Sequence, residues 1–255
     1  MNISDTIIIG FSGKIGSGKN YIAEQMYLPI VFEKIQKINQ SMQSNSDFEL
    51  KSNQQKKNIN VLPYFFSFAD HLKVECLSRT SNDELDFDIG FKSFFDKKTQ
   101  KSRNMLQTYG TENGRDRYHI NIWVRAVQTW IHLQLDRLNN LQRQISDIKF
   151  IPVFIICDVR FLNETEFIKN IGGKIVRINA PQRNHIRLLE ESNSNQTTYS
   201  NICSHSSETS LDKYEFKYNI NNDISSDVES LKQSQIHILN NLIDEQLTEL
   251  NIRQN

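Results

Sequence analysis

Two rhythms of apolar residues alternate along this chain. Short, nearly unbroken apolar runs read as buried strands: TIIIGF at 6–11, VLPYFFSFA at 61–69, KFIPVFIICDVR at 149–160, KIVRINA at 174–180 and EFKYNINND at 215–223. The run at 149–160 is the most apolar and predicts a central strand of a parallel sheet. Between the runs, apolar residues recur at helical spacing. Ile22, Met26 and Ile30 share one helix face, and Pro29 predicts a break or kink there. A second helix opens at Asp70, read as its cap. Residues 91–115 predict a helix followed by a glycine-containing loop. Residues 121–145 predict a long helix whose apolar stripe is Trp123, Val127, Trp130, Ile131 and Leu135. Residues 161–173 predict a helix stopped by Gly172 and Gly173, and 224–250 a closing amphipathic helix. Strand and helix alternate throughout, which predicts an α/β layer fold with a parallel sheet.

Two stretches break the rhythm. Residues 36–60 are rich in Asn, Gln, Ser and Lys and predict a polar surface insertion. Residues 192–209, SNSNQTTYSNICSHSSET, predict a loop.

Composition narrows the class. At 255 residues, 38% hydrophobic and 24% charged, the chain can bury a real core as one domain. Lys plus Arg (30) balances Asp plus Glu (30), so no global field draws in nucleic acid or an anionic membrane. The three cysteines, Cys76, Cys157 and Cys203, are far apart and form no C-x-x-C. This argues against a disulfide scaffold or zinc site and for a reducing, cytoplasmic setting. MNISDTIII carries no basic leader region, and no apolar run approaches the roughly 20 residues a membrane helix needs.

The first strand run leads directly into GKIGSGKN, Gly13 to Asn20. This fits the phosphate-loop pattern G-x-x-x-x-G-K-[ST] except at its last position. A strand before and a helix after are the context the pattern requires. Glycines let backbone N–H groups converge on an anion, and the helix N-terminus adds partial positive charge. Gly13, Lys14, Ile15, Gly16, Ser17, Gly18, Lys19 and Asn20 are therefore expected to hold the phosphates of ATP. Lys19 is read as the catalytic cation. Asn20 replaces the usual hydroxyl, but its amide oxygen still suits magnesium. The plain alternative is a β–α turn that simply needs glycines.

Asp158 ends the most apolar run, where ligands of open parallel sheets bind, and is the expected second metal-side residue. Arg160 follows it. Arg103, Arg115 and Arg117 lie between the second strand and the long helix, the expected acceptor side. Arg183 and Arg187 precede the Ser/Asn loop, which is read as a lid over about 183–209. His205 and Glu208 are readable either as contacts to a phosphate or lid arginine, or as ordinary loop hydrogen-bonders. Phe65, Phe66 and Phe68 are read as core before base-stacking residues.

These segments, in order, resemble the deoxynucleoside monophosphate kinases of the phage and large-DNA-virus type. The resemblance rests on FSGKIGSGKN, FSFADHLK, KSRNMLQTYGTENGR with NIWV after it, IICDVRFLNE, GGKIVRI, and HSSETSLD with YNINND. It spans about residues 6–240, with 36–60 as an insertion. It implies a phosphate-loop NTPase fold of three layers, a helical acceptor-binding arm at about 70–146, and a lid. The implied activity moves the γ-phosphoryl of ATP, with magnesium, onto a deoxynucleoside monophosphate. Asp70, Lys73, Gln107, Thr111 and Arg115 would meet the acceptor, and Asp158 and Arg160 the reaction centre. A small-molecule substrate, with no nucleic acid or membrane partner, is expected, and a homodimer is left open. Asn20 and His71 depart from the family pattern. Phosphomevalonate kinases resemble the chain less closely. A phosphate-loop ATPase acting on a macromolecule and a non-catalytic nucleotide-binding protein are the other classes.

Overall fold

The computed structural model describes residues 2–46, 57–80, 87–96, 99–195 and 206–252. In chain order these give β1 (Ile7–Ser12), α1 (Lys19–Tyr21), a π-helical turn (Ile22–Tyr27) and α2 (Leu28–Ser46). Next come β2 (Asn58–Phe66), α3 (Asp70–Ser78), α4 (Phe87–Phe95), α5 (Gln100–Gly110) and a second π turn (Thr111–Asp116). The chain continues through α6 (Ile122–Gln144), β3 (Ile148–Val159), α7 (Leu162–Asn170), β4 (Lys174–Asn179) and α8 (Pro181–Asn195). It closes with α9 (Ser206–Thr209), β5 (Tyr218–Asn221) and α10 (Val228–Glu249).

Among the described residues the strands form one sheet in the order β2-β3-β1-β4-β5, every pair parallel. Side chains alternate across it, as strand geometry demands. Ile7, Ile9 and Phe11 of β1, with Ile151, Val153 and Ile155 of β3, face Ile22, Tyr27 and Val31 and Leu239 and Ile243 of α10. Ile8, Phe154 and Ile156 face Phe68, Trp123, Val127, Ile131 and Ile168 on the opposite side. The expected α/β layering with a parallel sheet is therefore present, with helices on both faces.

Several local expectations are corrected. Pro29 neither breaks nor ends its helix. Proline offers no N–H and crowds the carbonyl four residues back, and the wider π turn just upstream, Ile22–Tyr27, precedes it in an otherwise continuous helical run. That run extends to Ser46, through the first part of the expected insertion, because Ile35 and Ile38 reach the core. Residues 47–56 of the insertion lie outside the described residues. The loop expected after Gly110 is the π turn Thr111–Asp116. Asp70 does not cap α3: its carboxylate accepts the N–H of Ser67, three residues upstream, and α3 starts at Asp70 with Ala69 at the cap position. Trp130 is 42% exposed, whereas Trp123, Val127, Ile131 and Leu135 are buried. The buried residues recur every four positions, and Trp130 falls one residue, about 100°, off that line.

Candidate phosphate-binding site

Register brings three strand ends level. Ser12, the last residue of β1, pairs with Val159 on β3 and with Arg177 on β4. Gly13–Gly18 and Asp158 thus leave the sheet side by side. The helix after β1 packs on one face of the sheet and α7, after β3, on the other. Adjacent parallel strands whose connections diverge in this way open a crevice at their carboxyl ends.

The loop folds as its glycines require. Gly16 and Gly18 take φ of +74° and +82°, a region side chains seldom adopt. A Cβ on Gly16 would lie 2.6 Å from Cβ of Arg187, so α8 packs directly onto the loop. Asn222, just past β5, donates to the Ser17 carbonyl at 2.9 Å, and Asn184 of α8 donates to the Ile15 carbonyl. Lys19 turns back over the loop, its ammonium donating to the carbonyls of Gly13 (2.7 Å) and Lys14 (3.0 Å). Burial, then the nearby Arg160 guanidinium, pulls the Lys19 ammonium down to about 7, with Glu208 and Asp158 opposing. Asn20 is exposed on the first helical turn.

Asp158 is held by the turn between β2 and α3. Its Oδ1 accepts the Phe68 N–H at 2.7 Å, and its Oδ2 accepts the Ala69 N–H at 3.1 Å and the Ser67 hydroxyl. A carboxylate offers about four lone-pair sites, so three are taken. Among the described residues no three His, Cys, Asp or Glu side chains converge as a metal cage. Of the expected metal-side residues, Asn20 has an exposed amide oxygen that could serve a magnesium, and Asp158 has at most one lone pair left to offer. A dedicated all-protein magnesium site does not fit.

Behind Asp158 lies a buried ion pair. Glu164, 2% exposed, accepts the backbone N–H groups of Arg160 (2.7 Å) and Phe161 (3.1 Å) and meets Arg115 at 3.1 Å. The Arg115 guanidinium lies 3.8 Å over the Phe161 ring. Burial, then the Asp158 charge, raises the Glu164 carboxyl above its ordinary range, while the Arg115 guanidinium and the two amides favour the carboxylate and pull it back. Arg160 itself pairs with Glu208.

The remaining expected residues fall into two groups. Arg183 reaches the Asn222 carbonyl at 3.4 Å beside the loop, and Arg187 packs on Gly16 while pairing with Glu190 at 3.1 Å. Asp70 and Lys73 pair with each other at 2.8 Å, and Lys73 lies over the Phe95 ring. Arg103 is half-buried on α5, Gln107 is exposed one turn further along, and Thr111 is exposed at the start of the second π turn. Arg117 lies over the exposed ring of Tyr118. His205, with 196–204, lies outside the described residues.

Arg177, Glu164, Asn222 and Asp212 lie within the segments that carry the resemblance, yet none has an expected role of its own. Arg177 donates to Ser12 Oγ at 3.0 Å and faces Asp212 at 3.7 Å. The one signal within reach was a glutamate at the sheet-facing side of the helix after Asp158. Compared with models of known protein families and with curated proteins, the chain matches none.

Proposed function

We propose that this protein is a phosphate-loop phosphotransferase that moves the γ-phosphoryl of ATP onto a deoxynucleoside monophosphate. The observation that carries the reading is the junction of two strand ends. A glycine turn with its lysine folded over it leaves β1, and Asp158 and Arg160 leave the neighbouring β3. The sequence resemblance supplies the acceptor class.

In this reading the N–H groups of Gly13–Asn20 bind the nucleotide's phosphates and Lys19 meets their terminal charge. Lys19 then trades two carbonyl partners for phosphate oxygens. Arg160 and Arg177 approach the same region and neutralise negative charge as the phosphoryl group moves. Asp158 holds the turn at Ser67–Ala69 against the β3 end. Asn20 offers its amide oxygen to a metal. When bound, magnesium supplies charge neutralisation at the phosphate oxygens. The helical span 70–146 provides the acceptor wall, with Arg115 oriented by Glu164. Catalysis is positioning and electrostatics, without a covalent enzyme intermediate.

The test is ADP release from ATP and magnesium with deoxynucleoside monophosphates, their ribose counterparts and phosphomevalonate as acceptors. The expected result is ADP only when a deoxynucleoside monophosphate is present. ADP without any acceptor would make the protein an ATPase, and ADP with phosphomevalonate alone would transfer the assignment to that kinase class.

A further inference from the structure

Two carboxylates sit on the groups that a polyphosphate needs. Glu208 Oε2 accepts the Ile15 N–H at 2.9 Å, inside the phosphate loop. Its Oε1 pairs with Arg160, whose guanidinium also reaches the Ser207 carbonyl at 3.4 Å. Asp212 meets Lys14 at 3.0 Å and Arg177 at 3.7 Å. The Glu208 side chain is 9% exposed. Leu211, 4% exposed, anchors the segment in the core below the sheet.

A carboxylate on a backbone N–H flanked by Lys and Arg presents the same chemistry as a phosphate oxygen there. One N–H cannot give a full hydrogen bond to both. We propose that Glu208, assisted by Asp212, is an internal phosphate mimic that occupies the loop and must be displaced when a nucleotide's polyphosphate binds. The inference rests on the reading of Gly13–Asn20 as a polyphosphate cradle. Its consequence is a coupling. The docked acid scales the apparent nucleotide affinity down to the fraction of molecules in which it is undocked, and the phosphates release residues 206–214 from the loop. Without nucleotide, the acids keep Arg160, Arg177 and Lys14 paired.

The experiment measures binding of magnesium–AMP-PNP and of inorganic pyrophosphate to the full chain by calorimetry, in the wild type, Glu208→Gln, Glu208→Ala and Lys19→Ala. Hydrogen exchange of residues 206–214 is followed in parallel. Both Glu208 variants should bind both probes more tightly, about tenfold for Glu208→Ala, as for a roughly 10:1 docked population. Exchange across 206–214 should rise when the wild type binds AMP-PNP and be raised already in the variants. A tighter affinity without that rise would reduce Glu208 to a general repulsive charge and overturn the proposal. Unchanged or weaker binding in both variants overturns it too, and leaves the cradle standing if Lys19→Ala still loses affinity. Failure of the wild type and of both Glu208 variants to bind either probe overturns cradle and mimic together.

Discussion

Glu164 and Arg115 meet at 3.1 Å across 49 residues of chain, the carboxylate 2% exposed. The same carboxylate takes the N–H groups of Arg160 and Phe161, so one buried carboxylate ties the second π turn to the end of β3. Removing one member of such a pair leaves a buried charge unanswered. Glu164→Ala should cost about 3–5 kcal/mol of stability, read from the urea midpoint. Glu164→Gln should cost less, because its amide oxygen still accepts the two backbone protons. A loss below about 1 kcal/mol in the alanine variant, the range of an exposed pair, would show that the pair is not buried in solution.

Gly18 stands at the N-terminus of α1 with φ of +82°, and a Cβ there would meet the amide nitrogen of Asn222. That nitrogen donates to the Ser17 carbonyl. Gly18→Ala should therefore destabilise the fold by about 1–3 kcal/mol through backbone strain and weaken nucleotide binding at the same time. Calorimetric melting and nucleotide titration of one sample check both effects. A variant of native stability would contradict the turn geometry.

Glu245 of α10 gathers Lys217 (2.7 Å), Lys174 (3.0 Å) and the Tyr218 hydroxyl, fastening the last helix to β4 and β5. The Lys217 hydrogen bond, then that of Tyr218, holds its carboxyl at about 2, below the ordinary 4.5. The unfolded chain binds the extra proton between those values, so the stabilisation is complete above about pH 4.5 and is lost as pH falls toward 2. The group is partly exposed, so its contribution is on the order of 1 kcal/mol. Urea unfolding from pH 6 to 2 should fall less steeply in Glu245→Gln than in the wild type. Parallel pH curves would contradict the network.

Layering and strand order draw on different information. The buried runs, from TIIIGF to KIVRINA, and the helical spacings between them are local, so the α/β alternation was legible in the sequence. Gly13–Lys19 was legible for the same reason, since its glycines answer a backbone demand written into adjacent positions. The polar tract after Gln36 is helical in its first part because Ile38 and Met42 continue the buried line of Val31 and Ile35, and average composition hides two residues. Trp130 misled because apolar character was counted without its angle. Arg177 and Glu164 stand in segments that the resemblance includes, but their partners were not legible, because these contacts arise from register and from packing across 165 and 49 residues of chain. Glu208 was noticed, but its partner, a backbone N–H of Ile15, has no side-chain signature in any sequence.

The central claim is that the turn between β1 and α1, closed by Lys19, grips a nucleotide's phosphates. Titration of magnesium–AMP-PNP into wild type and Lys19→Ala tests it most directly. Lys19 makes its hydrogen bonds to loop carbonyls rather than to an acid, so the variant should keep its melting midpoint within a few degrees. Its affinity should fall about 10- to 100-fold, the worth of one charged hydrogen bond, and phosphoryl transfer should be abolished. Equal dissociation constants in the two proteins, with both folded, would contradict the account.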